Sequence, residues 1–316
     1  MDHRDGTMIL RLAALLFFAL VCFAEENEVT PLLQETLDVS VVHMAVTALD
    51  KAGKAVTDLR AEEVKIEEDG VRQSILDFTA ATGEISIVGN IAFLLDNSRS
   101  MQEKYKGVSK FDLAKFAVIE ILKRSNLPQA SLLLTGGSGM KSSITGPSIL
   151  PAVNALNGAG GETRLWDSLS QIIESLAGET GGKLLVICSD GIDTASTLRM
   201  EKILTICRTS DLTIVSVATT KTEIAEGWGD AGLAEVEKGK KVLKKLAEET
   251  GGIFISPSSQ QEIIKFAAEL EGLLAPQYYI TYQSTNRTTK GWRRIEVECT
   301  RRKVDKLLYK KGYFVG

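Results

Sequence analysis

Between about Asn90 and Leu274 the chain alternates short, almost wholly apolar runs with longer stretches of helical periodicity. The runs are "IAFLLD" (91–96), "ASLLLT" (130–135), "KLLVICSD" (183–190), "LTIVSVAT" (212–219) and "GIFIS" (252–256). A strand that is apolar on both faces must be covered on both faces, which calls for a parallel sheet with helical crossovers. The pattern therefore predicts an α/β, doubly wound, mostly parallel sheet of Rossmann-like design. The intervening "SKFDLAKFAVIEILKRS" (109–125) carries a helix start at Ser109 and Asp112, with Val108 placed to staple onto Leu113. Leu113, Ala117 and Ile121 then recur at helical spacing on one face. Gly181, Gly182, Gly251 and Gly252 mark helix exits ahead of strands.

The flanks differ in texture. "LDVSVVHMAVTALD" (37–50), "VKIEEDG" (64–70) and "VRQSILDF" (71–78) read as strands separated by turns, and so do "QYYITYQS", "WRRIEVECT" and "DKLLYKKGYF" between 277 and 314. Each flank alone has few strands with which to bury a face. The expected organisation is a β segment at 37–82, the α/β domain at 88–274 and a second β segment at 276–314. The two segments are expected to pack together as a small β-sandwich-like domain that carries the α/β unit as an insertion, the alternative being two unrelated β appendages that flank it.

Ahead of these, Arg11 precedes "LAALLFFALVCFA" (12–24) and then Glu25 and Glu26. The run is short of the roughly 20 apolar residues of a membrane span. It fits the apolar region of a secretory signal at 1–24, with cleavage after Ala24, no stable membrane span afterwards and a secreted, periplasmic or cell-surface location. Cys22 invites a lipoprotein reading, which Val21 before it disfavours.

Composition narrows the chemistry. A formal charge of −4 over 316 residues gives no reason to expect a nucleic-acid partner. Beyond the leader only Cys188, Cys207 and Cys299 remain, too few and too scattered for a disulfide framework or a zinc site. His43 is the sole histidine there and lies in a strand, so catalysis through a Ser-His or Cys-His pair has no candidate.

In open parallel sheets ligands bind beyond the carboxyl ends of the strands. "IAFLLD" runs into Asn97, Ser98, Arg99 and Ser100; "KLLVICSD" ends in Asp190 and Gly191; "GAGGET" leaves Thr163 at the mouth of a glycine-rich loop. Gathered on one edge, Asp96, Ser98, Ser100, Thr163 and Asp190 would present two carboxylates and three hydroxyls. Such hard oxygen donors suit Mg²⁺, Mn²⁺ or Ca²⁺, and few charges on the metal would leave it attractive to an outside carboxylate.

The motifs "DNSRS", "ETRLWDSL" and "CSDGIDT" resemble, in that order, the three metal-site segments of the von Willebrand factor type A domain with a metal-ion-dependent adhesion site. The resemblance covers roughly Val88 to Leu274. It implies direct coordination by Ser98, Ser100 and Thr163, with Asp96 and Asp190 acting mainly through water. It also implies a protein partner whose Asp or Glu carboxylate completes the sphere. The flanks resemble exported acidobacterial proteins built around this domain. Arg99 departs from the pattern, standing where the family often has glycine. "TGGSGMKSS" is neither a phosphate loop nor a serine–lysine enzyme motif and reads as a hairpin. Glu162 and Asp167, beside Thr163, read either as groups that support the metal ligands from behind or, in preference, as helix-start charges.

The expectation is an exported, non-catalytic, cation-dependent binding or adhesion module. The alternatives are a metal-assisted hydrolase using the same cation and a scaffold whose β-domain does the binding.

Overall fold

The computed structural model describes residues 41–80, 88–105, 107–124, 130–135, 141–145, 148–158, 160–179, 182–210, 212–220, 229–274, 278–286 and 290–315. The chain divides into Met1–Asp38 and Val39–Gly316. The leader expected at 1–24, with Cys22, lies outside the described residues, as does most of the "TGGSGMKSS" turn.

Strands β1 (Val41–Leu49), β2 (Val64–Glu68) and β3 (Val71–Ala80) lead into β4 (Val88–Asp96), the small ribbon β5 (Lys104–Tyr105) and β6 (Val108–Ser109), and α1 (Lys110–Arg124). Then come β7 (Ala130–Thr135), β8 (Lys141–Thr145), α2 (Ile149–Ala155), α3 (Leu165–Leu176), β9 (Gly182–Ser189), α4 (Met200–Thr209) and β10 (Leu212–Ala218). The remainder is α5 (Gly229–Glu249), β11 (Phe254–Ile255), α6 (Gln260–Leu274), β12 (Tyr278–Gln283), β13 (Gly291–Cys299), β14 (Lys306–Tyr309) and β15 (Gly312–Val315).

Six strands form the α/β sheet in the order β11-β10-β9-β4-β7-β8. Every pair is parallel except β7 with β8, the antiparallel edge. Strand β4 shows why its sequence is apolar throughout. Ile91, Phe93 and Leu95 face a core shared with Leu113, Ala117 and Ile121 of α1 and with Ile263 and Phe266 of α6. Ala92 and Leu94 face the opposite core, with Leu169 and Ile172 of α3, Ile203 of α4 and Leu243 of α5. Period-two side chains thus feed two helical layers, and each large apolar side chain so buried contributes about 1.5–3 kcal/mol. Ser109 Oγ accepts from Asp112 N–H (2.9 Å) while the Asp112 carboxylate accepts from Ser109 N–H (3.3 Å), a reciprocal cap at the start of α1.

Seven further strands, drawn from both flanks, make one continuous antiparallel sheet ordered β14-β1-β12-β3-β2-β13-β15. This is a single sheet rather than the two separate sheets of a sandwich. Strands β3 and β13 change partner part-way along: β3 pairs β2 through Gln73 and β12 from Ser74, while β13 pairs β15 through Arg294 and β2 from Ile295. These corners curl the sheet around one core of Val46, Ile66, Tyr278, Ile280, Tyr282 and Ile295. The curl is tight enough that Val297 N–H of β13 donates to Tyr309 Oη of β14, at the far edge (3.1 Å). Inside the curl, the buried Glu68 accepts from Tyr282 (2.8 Å), Ser284 (2.6 Å) and Tyr313 (2.9 Å) and pairs with Arg293 (3.3 Å).

The α/β unit leaves from the end of β3 and returns into β12, and Ala80 and Tyr278 are register partners. Leu49 and Leu308 of the curled sheet enter the core of α1 and α6.

Candidate metal centre

Strand β4 lies between β9 and β7, so the chain order reverses direction at the β4/β9 boundary, the position where open α/β sheets hold ligands. Asp96 ends β4 and Asp190 directly follows β9. Both are buried, at 0% and 1% exposed.

The first loop is organised by its own aspartate. Ser98 N–H donates to Asp96 Oδ1 (2.9 Å), which turns the chain, and Asn97 N–H reaches back to the Thr135 carbonyl (2.6 Å). Ser98 is extended (φ −73°, ψ 171°) and precedes a 3₁₀ turn over Arg99–Gln102, pinned by the buried Met101. That turn sets Ser98 Oγ and Ser100 Oγ 3.1 Å apart. The side chain of Arg99 is exposed and its backbone is outside the left-handed region, so the chain needs no glycine there. Its N–H donates to the Gly161 carbonyl (3.0 Å), which ties the first loop to the second.

Thr163 sits 3% exposed after Gly160 and Gly161, both at positive φ. Its N–H donates to Thr194 Oγ1 (3.0 Å), and its carbonyl accepts from the N–H groups of Thr194 (3.1 Å) and Ala195 (3.0 Å). Those residues belong to the loop that begins at Asp190. Asp193 of the same loop caps α3 from a distance, accepting from Leu165 N–H (2.7 Å) and Trp166 N–H (3.2 Å). Asp167, in the first turn of α3, also latches this loop, accepting from Thr197 N–H (2.9 Å) and Leu198 N–H (2.9 Å).

Asp96 and Asp190 interact directly with each other's field. Burial, and then the neighbouring Asp190 charge, push the Asp96 carboxyl up to about 7. Ser189, which donates to Asp96 Oδ2 (2.7 Å), and the N–H of Ser98 pull it the other way. Asp190 accepts from Ile192 N–H (3.2 Å) and from Lys110 Nζ (3.3 Å). Gly191 follows at φ +78°, packed so closely on α5 that a Cβ there would meet the Gly239 carbonyl oxygen at 2.4 Å.

All three segments named from the sequence therefore meet at one edge. Adjacent ligands of octahedral Mg²⁺, at bond lengths of about 2.0–2.1 Å, lie roughly 2.9 Å apart. The 3.1 Å between Ser98 Oγ and Ser100 Oγ is close to that spacing. Thr135 Oγ1, next to Asp96 across the strand pair, is a buried hydroxyl with no hydrogen-bond partner among the described residues. Among the described residues no three of His, Cys, Asp and Glu gather as a metal set, so the donors here are hydroxyls with two carboxylates behind them. That set fits a hard divalent cation and does not fit zinc. Cys188, just ahead of Ser189 and Asp190, and Cys207 are buried thiols pushed by desolvation to about 12.

Three residues of the site carried no signal of their own in the sequence. Ser189 is hidden inside an apolar strand motif, Asp193 caps a helix that precedes it in the chain, and Lys110 looks like a solvated helix-start lysine.

No family model matches the chain, and no curated protein matches it in sequence. Solved structures similar to it include an aerotolerance-related membrane protein from Bacteroides fragilis, at 15% identity and TM-score 0.44 over 57% of this chain and 96% of the other. A von Willebrand factor type A structure from Catenulispora acidiphila aligns at 10% identity and TM-score 0.44, over 88% of this chain and 73% of the other. The ArnB paralog VWA2 from Sulfolobus acidocaldarius aligns at 12% identity and TM-score 0.39, over 86% and 75%. At such low similarity the α/β architecture rests on this chain's own strand order.

Proposed function

We propose that the chain is a non-catalytic protein-binding module that uses a divalent cation, Mg²⁺ foremost, to hold an acidic side chain of a partner. The observation that carries this reading is the meeting of three loops at the β4/β9 switch point, with the Ser98 and Ser100 hydroxyls 3.1 Å apart in front of two buried carboxylates. Ser98, Ser100 and Thr163 would hold the cation, which supplies a positive centre for a carboxylate. Asp96 orders the first loop through Ser98 N–H and lends its charge from behind. Asp190 lends the second charge, and Asp193 and Asp167 keep its loop on the threonine segment. With neutral oxygens in front, the cation keeps most of its charge for an outside ligand.

Secretion to the periplasm, cell surface or medium belongs to the same proposal and rests on the apolar leader at 12–24. Among the described residues no helix is long and apolar enough to cross a membrane.

The test is binding of acidic, Asp- and Glu-containing peptides, and of partners recovered from the cell envelope, in Mg²⁺ and in chelator. Wild type should bind only with the cation, and Asp96→Ala, still folded, should not bind. Equal binding by Asp96→Ala, or binding undiminished by chelator, would refute the cation mechanism.

A further inference from the structure

Lys110 is the first residue of α1, yet its side chain is only 1% exposed. Its ammonium lies 2.7 Å from Glu103 Oε2 and 3.3 Å from Asp190 Oδ2. Its own N–H donates to the Glu103 carbonyl (3.0 Å), so β5 and β6 form a short ribbon closed at its base by Lys110 and Glu103. Glu103 immediately follows the 3₁₀ turn that carries Ser100. Lys110 therefore bridges the first loop, through Glu103, to the third, through Asp190.

Burying an ammonium is expensive unless it is paired with opposite charge, and burying two facing carboxylates is expensive for the same reason. One fixed cation behind the site answers both costs. We infer that Lys110 is a positioning residue that acts through Asp190: a built-in counter-charge that holds the loops together when no divalent cation is bound. The inference rests on the cation-binding reading of the site. It adds that the loops are organised in advance, and that a divalent cation takes over part of a task Lys110 already performs. A cation entering the wild-type site meets an Asp190 whose charge is partly spent, so its binding adds little to the stability of the fold. Without the ammonium the same cation would meet two full carboxylates and stabilise the fold more.

The experiment compares thermal melting of the full chain in chelator and in 10 mM Mg²⁺ for wild type, Lys110→Met and Lys110→Arg. Methionine keeps the buried stem and removes the charge; arginine keeps the charge. Lys110→Met should melt several degrees lower than wild type in chelator, and Mg²⁺ should recover most of that deficit, shifting it at least twice as far as wild type. Lys110→Arg should stay close to wild type in both conditions. A merely structural ion pair would leave a deficit that Mg²⁺ does not repair. That result, with wild type still responding to Mg²⁺, overturns the inference and leaves the metal reading standing. Mg²⁺ moving no variant overturns both. Should Lys110→Met fail to fold, Glu103→Gln decides: by removing the Glu103 charge that competes with Asp190 for the ammonium it should narrow the Mg²⁺ shift, and an equal or wider shift overturns the inference.

Discussion

A single methyl group on the face of α5 that meets the Asp190 loop should disturb the cation site. Gly239 lies inside that helix, and a Cβ built on it would come to 2.2 Å from the Asp190 carbonyl oxygen and 3.3 Å from its carbonyl carbon. Taken alone, Gly→Ala within a helix stabilises by about 0.8–1 kcal/mol. Here the obstacle is backbone, with no rotamer to swing aside, and the helix or the loop must shift by roughly 1 Å to regain ordinary contact. Overpacking of this kind costs about 1–3 kcal/mol, and a backbone obstacle belongs at the upper end. Gly239→Ala should therefore destabilise by about 1–2 kcal/mol net, the sign being opposite to helix propensity. The displaced residue is Asp190, so Mg²⁺ affinity should fall roughly ten-fold, as it does when groups behind metal ligands are moved. Urea unfolding gives the first number and Mg²⁺ titration calorimetry the second. Gly178→Ala is the control, because nothing lies within 4 Å of its Cβ position. A Gly239→Ala protein as stable as wild type, with unchanged Mg²⁺ affinity, would refute the idea that α5 positions the Asp190 loop.

The other predictions are independent of one another. Glu68→Ala should cost about 3–5 kcal/mol in urea unfolding, because it strands the buried Arg293 without its carboxylate. Tyr282→Phe, which removes one hydrogen bond to Glu68, should cost about 1–3 kcal/mol. Asp193→Ala strips the distant cap from α3 and should cost about 1–2 kcal/mol, with weakened Mg²⁺ binding because Thr163 is anchored to the same loop. Of Cys188, Cys207 and Cys299, only the half-exposed Cys299 should react with a thiol reagent in the native protein at pH 8, and all three after denaturation.

The apolar runs revealed the parallel sheet because burial on both faces leaves no polar positions, and each of the five named runs overlaps a strand of that sheet. The Ser109–Asp112 cap was legible because its two partners are three residues apart. The curl of the β-sheet was not legible. It depends on β3 and β13 changing partner mid-strand, and alternation along a strand says which face is buried but not against whom. At the metal centre the donors themselves could be named because they end strands or open a helix. Lys110 could not, since its burial follows from Glu103 and Asp190 closing over it, and they are distant from each other in sequence. His43 reads as a strand residue, and it lies in β1, exposed and hydrogen-bonded to Thr281 Oγ1 (3.0 Å).

That Ala80 faces Tyr278 across a strand pair has a bearing on how the chain is made. For the curled sheet, the entire α/β unit occupies the place of a hairpin turn. Strands β1, β2 and β3 leave the ribosome long before their later neighbours: β1 will lie between β14 and β12, and β3 and β2 between β12 and β13. During that interval they offer bare edges to any other chain, whereas the α/β unit already holds all its own strands and can fold at once. Once it has folded, its two ends lie side by side and deliver β12 to β3. Loop closure grows only by about 0.6 kcal/mol for each doubling of length, and a folded loop has even less freedom to lose. A lesion that slows folding of the α/β unit should therefore show first as aggregation through the N-terminal strands, not as loss of cation binding.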